Sequence, residues 1–433
     1  MMICIEKRFF NSNRLLLLPF GLWPCKETKF TRFRPTLLCS ILISAIAFQQ
    51  RFNNVKDCKR LKPNLYTILL FIMKEIYYKI HLSLFSKLFI AESNFEIFIR
   101  LLCSTTFYII LTIMYISFWF NIKSIKYLLD QLQHTYDRLK NKNEIAIYDK
   151  YGYIAKRMTT TIIILLMSGL CIITLIVHCP YIFDAVMPKN ESSHFAIRTT
   201  EIVAEFFIIS EKYYFLILMY MTAACYGGLI AMIAIATLFM AYLKHTCGMF
   251  EIASYRIEQA MAIELLHNFD MKNEIVIYRE MKRAIDIQRQ AMEFAKCLMI
   301  SIGTPFFFLI ITTVFCVTVN LFRIFHIESP AEKMQEVALH IFVIFTIVLT
   351  MFMGNNTGQE ITDYSNHVYL ITYNTSWYLA PIRVQKLILF VLQRSHKIFA
   401  LNVGGLFSGS LECFATLISA SMSYFTFMYS MQH

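Results

Sequence analysis

Six hydroxyl-bearing residues, Thr416, Ser419, Ser421, Ser423, Thr426 and Ser430, alternate with aromatic and aliphatic side chains near the C-terminus. They lie in residues 409–431, a stretch with one charge, Glu412, near its start. About 20 such residues suffice to cross a bilayer. The chemistry open to this segment is passage of ions. Small hydroxyls on a membrane helix can line a conducting path, and a ring of apolar side chains can close that path by excluding water. Ser423, Phe427, Ser430 and Met431 are spaced by three and four and so share a helical face. Tyr424 and Met428 fall on an adjoining face, suited to packing within the chain.

Bond-breaking chemistry has no comparable footing. The chain contains no HExxH, GxxxxGK[ST] or GxSxG motif and no dense His/Cys cluster, so neither catalysis, a metal nor a cofactor is expected. Gly404, Gly405 and Gly409 do not form a nucleotide loop, because no strand pattern precedes them; they suit a tight turn and close helix packing. Twelve cysteines are scattered without a CxxC pair, which indicates neither zinc nor a disulfide framework.

The elements that would position such a helix follow from composition. Of 433 residues, 57% are hydrophobic and 16% charged, against about 25% charged in a soluble domain. The chain therefore reads as a membrane protein. Its 41 basic residues sit between apolar runs and form no single patch, which argues against nucleic acid as a partner.

Apolar runs place membrane spans at residues 35–49, 95–121, 158–178, 213–242, 297–322, 337–353 and 409–431. Residues 1–34 carry basic residues ahead of a short apolar run with no small-residue cleavage site. They are expected as an uncleaved cytosolic segment lying against the membrane. Residues 51–90 mix Lys56, Lys59, Arg60 and Lys62 with charges recurring at Lys74, Glu75, Lys79 and Lys87; this is an atypical insertion, too charged for a comfortable span. After the second span, Ile125, Leu128, Leu129, Leu132 and Tyr136 mark one apolar face of a polar helix. A second polar helical stretch covers residues 245–296, where Lys272, Arg279, Lys282, Arg283 and Arg289 are expected on a solvated face.

With a cytosolic N-terminus, the inner segments hold 27 basic residues and the outer ones 14, nine of them in residues 51–100. Setting that stretch aside leaves 27 against five, a strong positive-inside bias. The fold class is thus an all-α integral membrane protein of seven transmembrane helices, with the N-terminus cytosolic and the C-terminus extracellular. Of the N-x-S/T sequons at Asn190, Asn355 and Asn374, only Asn190 falls outside, so it is the glycosylation candidate.

The C-terminal stretch also carries a resemblance. Gly358-Gln359, Asp363, Ser365, Tyr373, Trp377-Tyr378, Pro381, Gln385-Lys386, Ser410-Leu411-Glu412 and Ser423-Tyr424-Phe425 occur in order, and together they resemble the insect odorant receptor family. The resemblance covers residues 14–50 and about 95–432. It implies a ligand-gated cation channel of four subunits around one pore, with a shared co-receptor as obligatory partner. It also implies a small volatile or hydrophobic odorant bound in the outer half of the bundle, in the plasma membrane of olfactory sensory neurons amid membrane lipid. Residues 35–354 would hold the first six helices and the odorant-binding bundle, residues 355–408 a cytosolic anchor hairpin, and residues 409–433 the pore-lining helix.

On this sequence the implied pocket falls on Tyr115 and Phe118, Ser168 and Cys171, and Tyr214 and Met219, which offer aromatic and sulfur surface with a few polar groups. Tyr373, Trp377 and Tyr378 are the subunit-interface candidates, since large aromatics anchor interfaces. Phe427 and Met431 fall where the family's apolar gate lies, with Ser430 as polar neighbour. A gustatory-type chemoreceptor channel is the alternative. A G-protein-coupled receptor is disfavoured by the missing NPxxY and acidic-arginine signatures. A transporter is disfavoured because the third span (158–178) and the fifth (297–322) carry no charge and no repeat is visible.

Overall fold

The structure is a computed structural model, and it describes residues 5–24, 41–42, 95–186, 211–262, 271–327 and 333–431. The expected first span, the insertion at 51–90 and Asn190 lie outside the described residues, save for two helical residues at 41–42.

Two short helices, α1 (Ile5–Phe9) and α2 (Asn11–Leu17), precede α3 (Phe95–Phe120) and α4 (Ile122–Arg138). Three long helices follow, α5 (Lys142–Val186), α6 (Glu211–Ala260) and α7 (Met271–Phe325). Then come α8 (Met334–Asn374), a turn of 3-10 helix at Trp377–Leu379, and α9 (Ile382–His396). Strands β1 (Asn402–Val403) and β2 (Phe407–Ser408) pair antiparallel, Val403 opposite Phe407, before the last helix, α10 (Leu411–Ser430). The small hairpin departs from a purely helical expectation. Gly404 and Gly405 make its turn with φ of 61° and 77°, a backbone region that glycine enters without a Cβ clash. Among the described residues, six helices are long and apolar enough to cross a membrane, and they overlap the second to seventh expected spans.

Spans and polar helices expected as separate pieces are continuous. Helix α6 has 50 residues and α7 has 55, roughly 75 and 83 Å at 1.5 Å per residue, far beyond a hydrocarbon core of about 30 Å. No glycine pair or proline stands where hydropathy gives way to charge, so nothing interrupts the hydrogen-bond ladder there. Likewise α8 runs unbroken through Asn355, so the anchor's first arm is the continuation of the sixth span, with no boundary at residue 355.

Helix α6 is the centre, packing against α2, α3, α5, α7 and α8. Its most apolar window is 67% buried, against 22% for those of α5, α7 and α8, so the latter present most of their apolar surface outward. Beyond the apolar run, α6 stays largely buried and the two basic residues there are paired: Arg256 forks onto Glu144 at 2.8 and 2.9 Å, and Lys244 pairs with Glu360. In α4, Ile125, Leu128, Leu129, Leu132 and Tyr136 are all buried, as their spacing predicts. Burying each such side chain fully is worth about 1.5–3 kcal/mol.

The N-terminal segment packs into the helix bundle. Phe9 and Phe10 enter the bundle and flank the buried His245 ring of α6, with centroids 5.5 and 5.3 Å away. Arg8 donates to Tyr136 Oη at 3.0 Å and to Asp149 at 2.9 Å. Burial, reinforced by the Asp149 carboxylate, holds the Tyr136 phenol above its ordinary value, so it stays neutral and accepts from Arg8. Four apolar anchors, Ile5, Phe9, Leu17 and Leu22, are at most 3% exposed, which is why the segment folds inward.

Candidate functional site

Helix α10 is held by one face. Ser410 caps it, its hydroxyl accepting from Cys413 N at 3.1 Å, and Asn355 Oδ1 of α8 accepts from Ser410 N at 3.3 Å. Its buried residues are Leu417, Ser421 and Phe425, one turn apart. The Ser421 carbonyl accepts from Thr318 Oγ1 of α7 at 3.2 Å, and the Phe425 ring lies 5.0 Å from that of Phe325. Met428 packs on the same cluster, whereas Tyr424, expected to pack within the chain, is 60% exposed. At 100° per residue Tyr424 lies about 100° round the helix from Phe425, away from the Phe325 contact.

The structure separates the six hydroxyls into two groups. Ser421 is buried at 1% exposure, while Thr416, Ser419, Ser423, Thr426 and Ser430 are exposed. These five recur at spacings of three and four and lie on the side opposite the packed face, about 180° round the helix. Four of them donate to their own helix: Thr416 to Glu412 O, Ser423 to Ser419 O, Thr426 to Ser423 O and Ser430 to Phe427 O, all at 2.9 Å. Each proton is thus occupied, and the oxygen lone pairs are left facing outward. Phe427 and Met431 are 61% and 73% exposed. By helical phase Phe427 flanks the hydroxyl stripe at about 60°, and Met431 sits farther round, at about 100°.

The interface candidates divide. Tyr373 and Tyr378 are 59% and 65% exposed, but Trp377 packs partly against the chain's own core. Around them α8 and α9 expose Leu370, Ile382, Leu389 and Phe390.

The ligand candidates divide as well. Tyr115 and Phe118 are at most 1% exposed. The Tyr115 hydroxyl donates to the Phe20 carbonyl at 3.2 Å, and Phe118 packs 5.8 Å from Phe239. Ser168 and Cys171 are exposed and lie on the outward side of α5, Ser168 donating to Leu165 O at 2.9 Å. Tyr214 and Met219 stand on α6, but their side chains lie outside the described residues. Between α5 and α6 the inward polar pair is instead Thr174 and Tyr226. Thr174 donates to Leu170 O at 2.7 Å, so the Tyr226 hydroxyl is the donor to Thr174. Sequence reading missed this pair because hydroxyls inside an apolar run do not reveal which way they face.

A second feature went unread. Arg323, fully buried at the end of α7, reaches Glu336 of α8 at 2.7 Å and Glu96 of α3 at 2.9 Å. Arg100 joins Glu96 at 2.8 Å and Glu336 at 3.2 Å. His340 Nδ1 donates to Asn320 Oδ1 at 2.7 Å beside them. The cluster binds three spans at the end of the bundle where Phe425 of α10 packs. The i, i+4 pair of Glu96 and Arg100 was the available signal.

Known proteins share this architecture. The insect olfactory receptor OR5 from Machilis hrabei, solved in complex with eugenol, superposes with a TM-score of 0.68 over 98% of both chains at 12% identity. Another structure of the same receptor gives 0.64, covering 98% of this chain and 97% of that one, also at 12% identity. Odorant receptor 10 of Aedes albopictus is 28% identical over 108 residues, a match spanning 25% of this chain and 28% of that protein's length. A family model described as 7tm Odorant receptor matches residues 94–422. With three quarters of its length inside that match, the chain belongs to the seven-transmembrane odorant receptor family.

Proposed function

We propose that this chain is the odorant-binding subunit of a heteromeric ligand-gated cation channel, working with a shared co-receptor in the plasma membrane of olfactory sensory neurons. The observation that carries the reading is the outward hydroxyl stripe of α10, opposite the face that anchors the helix. Lipid gains nothing from such a row of oxygens. Brought together by several subunits around an axis, the same oxygens replace part of a cation's hydration shell. Phe427 and Met431 supply the apolar closure beside it. Family membership supports the ligand class, a small volatile or hydrophobic odorant. The N-terminus is cytosolic and the C-terminus extracellular, as the basic-residue bias favours.

Tyr373 and Tyr378, with the apolar surface around them, would meet neighbouring subunits. Thr174 and Tyr226, facing inward between α5 and α6, take the place of the outward Ser168 and Cys171 as the polar handle of the ligand-facing set. The test is co-expression with the co-receptor and an odorant panel read as membrane current. Odorant-evoked cation current that needs both subunits is the expected result. Current without the co-receptor, evoked by a sugar or bitter ligand, would overturn it in favour of a gustatory-type channel.

A further inference from the structure

A cleft of about 510 Å³ opens where the last turns of α9 and the segment entering β1 meet α7. Lys296, Arg394 and Lys397 stand at its rim, and Met299, Ile300 and Ile398 line its apolar part. No acidic residue lines it, and among the described residues no ion pair joins any of the three cations to a carboxylate. Arg256, Arg283 and Arg289, by comparison, each have a glutamate within 3.4 Å.

The cleft sits at a boundary. Lys296 is the last charge before the apolar run of α7, and Ile300, one turn further on, is 83% exposed. Ile398 is 66% exposed on the facing segment. Basic side chains that lie where a helix leaves the hydrocarbon region reach toward phosphate, and their stems cover apolar surface.

We infer that this cleft is a binding site for an anionic phospholipid, the three cations holding the phosphate-bearing headgroup and Met299, Ile300 and Ile398 receiving the start of an acyl chain. The site goes beyond the channel reading; only the leaflet that supplies the lipid rests on the orientation proposed above. Its place gives it a consequence. Leu401 and Asn402 also line the cleft. Asn402 pairs with Ser408, and Gly409 N donates to Leu401 O at 2.8 Å, just ahead of the Ser410 cap of α10. A lipid seated here braces the hairpin from which the final helix starts.

The experiment uses the full chain in neutral-detergent micelles, titrated with phosphatidylserine carrying a fluorescent acyl chain. Phosphatidylcholine with the same chains is the neutral arm, and glycerophosphoserine is the chainless one. Each basic side chain near an anionic surface is worth about a fivefold change in affinity, so Lys296→Gln/Arg394→Gln/Lys397→Gln should weaken binding about 100-fold. Arg279→Gln/Arg283→Gln/Arg289→Gln, which removes the same charge from the exposed, glutamate-paired face of α7, should leave it nearly unchanged. Phosphatidylserine should bind far more tightly than either comparison compound.

Equal loss in both triple variants, or equal binding of phosphatidylcholine, would overturn the proposal. Equal binding of glycerophosphoserine would replace the lipid with a soluble phosphate compound. Should the first triple variant not fold, photoreactive phosphatidylserine on the wild type decides the matter. Crosslinks at residues 296–300 and 394–402 support the site, and crosslinks elsewhere, or displacement by another copy of the chain, reject it. Binding in micelles does not depend on membrane orientation, so its failure is distinct from failure of the channel reading.

Discussion

A Cβ on Gly358 would stand 2.6 Å from the carbonyl oxygen of Gly409 and 2.8 Å from its Cα. The two glycines let α8 touch the backbone at the base of α10. Gly358→Ala has no flexible side chain to push aside, and forced overpacking of this kind costs about 1–3 kcal/mol. A lowered melting temperature and altered ligand-evoked current are expected. Gly354→Ala is the control, because a Cβ there meets nothing within 4 Å. In the interior of α8 it should be stabilising by about 0.5–1 kcal/mol. Equal melting behaviour of the two variants would show that the close approach does not matter.

The Arg323–Glu336 pair makes a second case. Glu336→Gln leaves a fully buried guanidinium with Glu96, itself 46% exposed, as its remaining carboxylate. Removing one partner of a buried pair costs about 3–5 kcal/mol. Replacing both, as Arg323→Met with Glu336→Leu, should recover much of that loss. A double mutant that melts below Glu336→Gln would contradict this account.

For the pore, Phe427→Ala should raise resting current or change cation selectivity in the heteromer, because a dry constriction widens. Met431→Ala should act in the same direction but less, since it lies farther round the helix from the hydroxyl stripe. Surface-expressed variants with unchanged leak and selectivity would remove this face from the pore.

For the ligand, Tyr226→Phe and Thr174→Val each break the hydroxyl pair between α5 and α6 while keeping side-chain size. Either should reorder the odorant ranking, each lost polar contact being worth about 1 kcal/mol, roughly fivefold in potency. Ser168→Ala and Cys171→Ala, on the outward side of α5, serve as comparisons. A uniform shift for all ligands would point to packing or gating.

Orientation is checked by glycosylation. Asn190→Gln should abolish a glycan-dependent mobility shift. Asn355→Gln should not, as the Asn355 side chain donates to Met351 O at 2.9 Å and accepts from Ser410 N. A shift lost with Asn374→Gln would place α8 and α9 on the outer side and reverse the topology.

Hydropathy and charge spacing alone determined that this is a helical membrane protein, where the second to seventh spans lie, and which face of α4 is buried. These properties are carried by periodicity and composition, which are local. Local patterning also marked Gly404, Gly405 and Gly409 as sites of a turn and close packing, whereas the close approach at Gly358 came only from the tertiary structure. Local patterning did not determine helix continuity across the membrane boundary, because hydropathy changes there while the backbone ladder does not. Nor did it tell Ser421 from its five exposed neighbours, Ser168 from Thr174, or Tyr424 from Phe425. Each of those choices depends on the neighbour a helix face meets, and only the packing of α7 against α10 and of α5 against α6 supplies it. The same holds for Arg323 and Glu336, thirteen positions apart in sequence, and for Glu96, far earlier in the chain, which the bundle gathers into one buried cluster. A charge leaves water only where its partner already stands, and that place exists only in the assembled bundle.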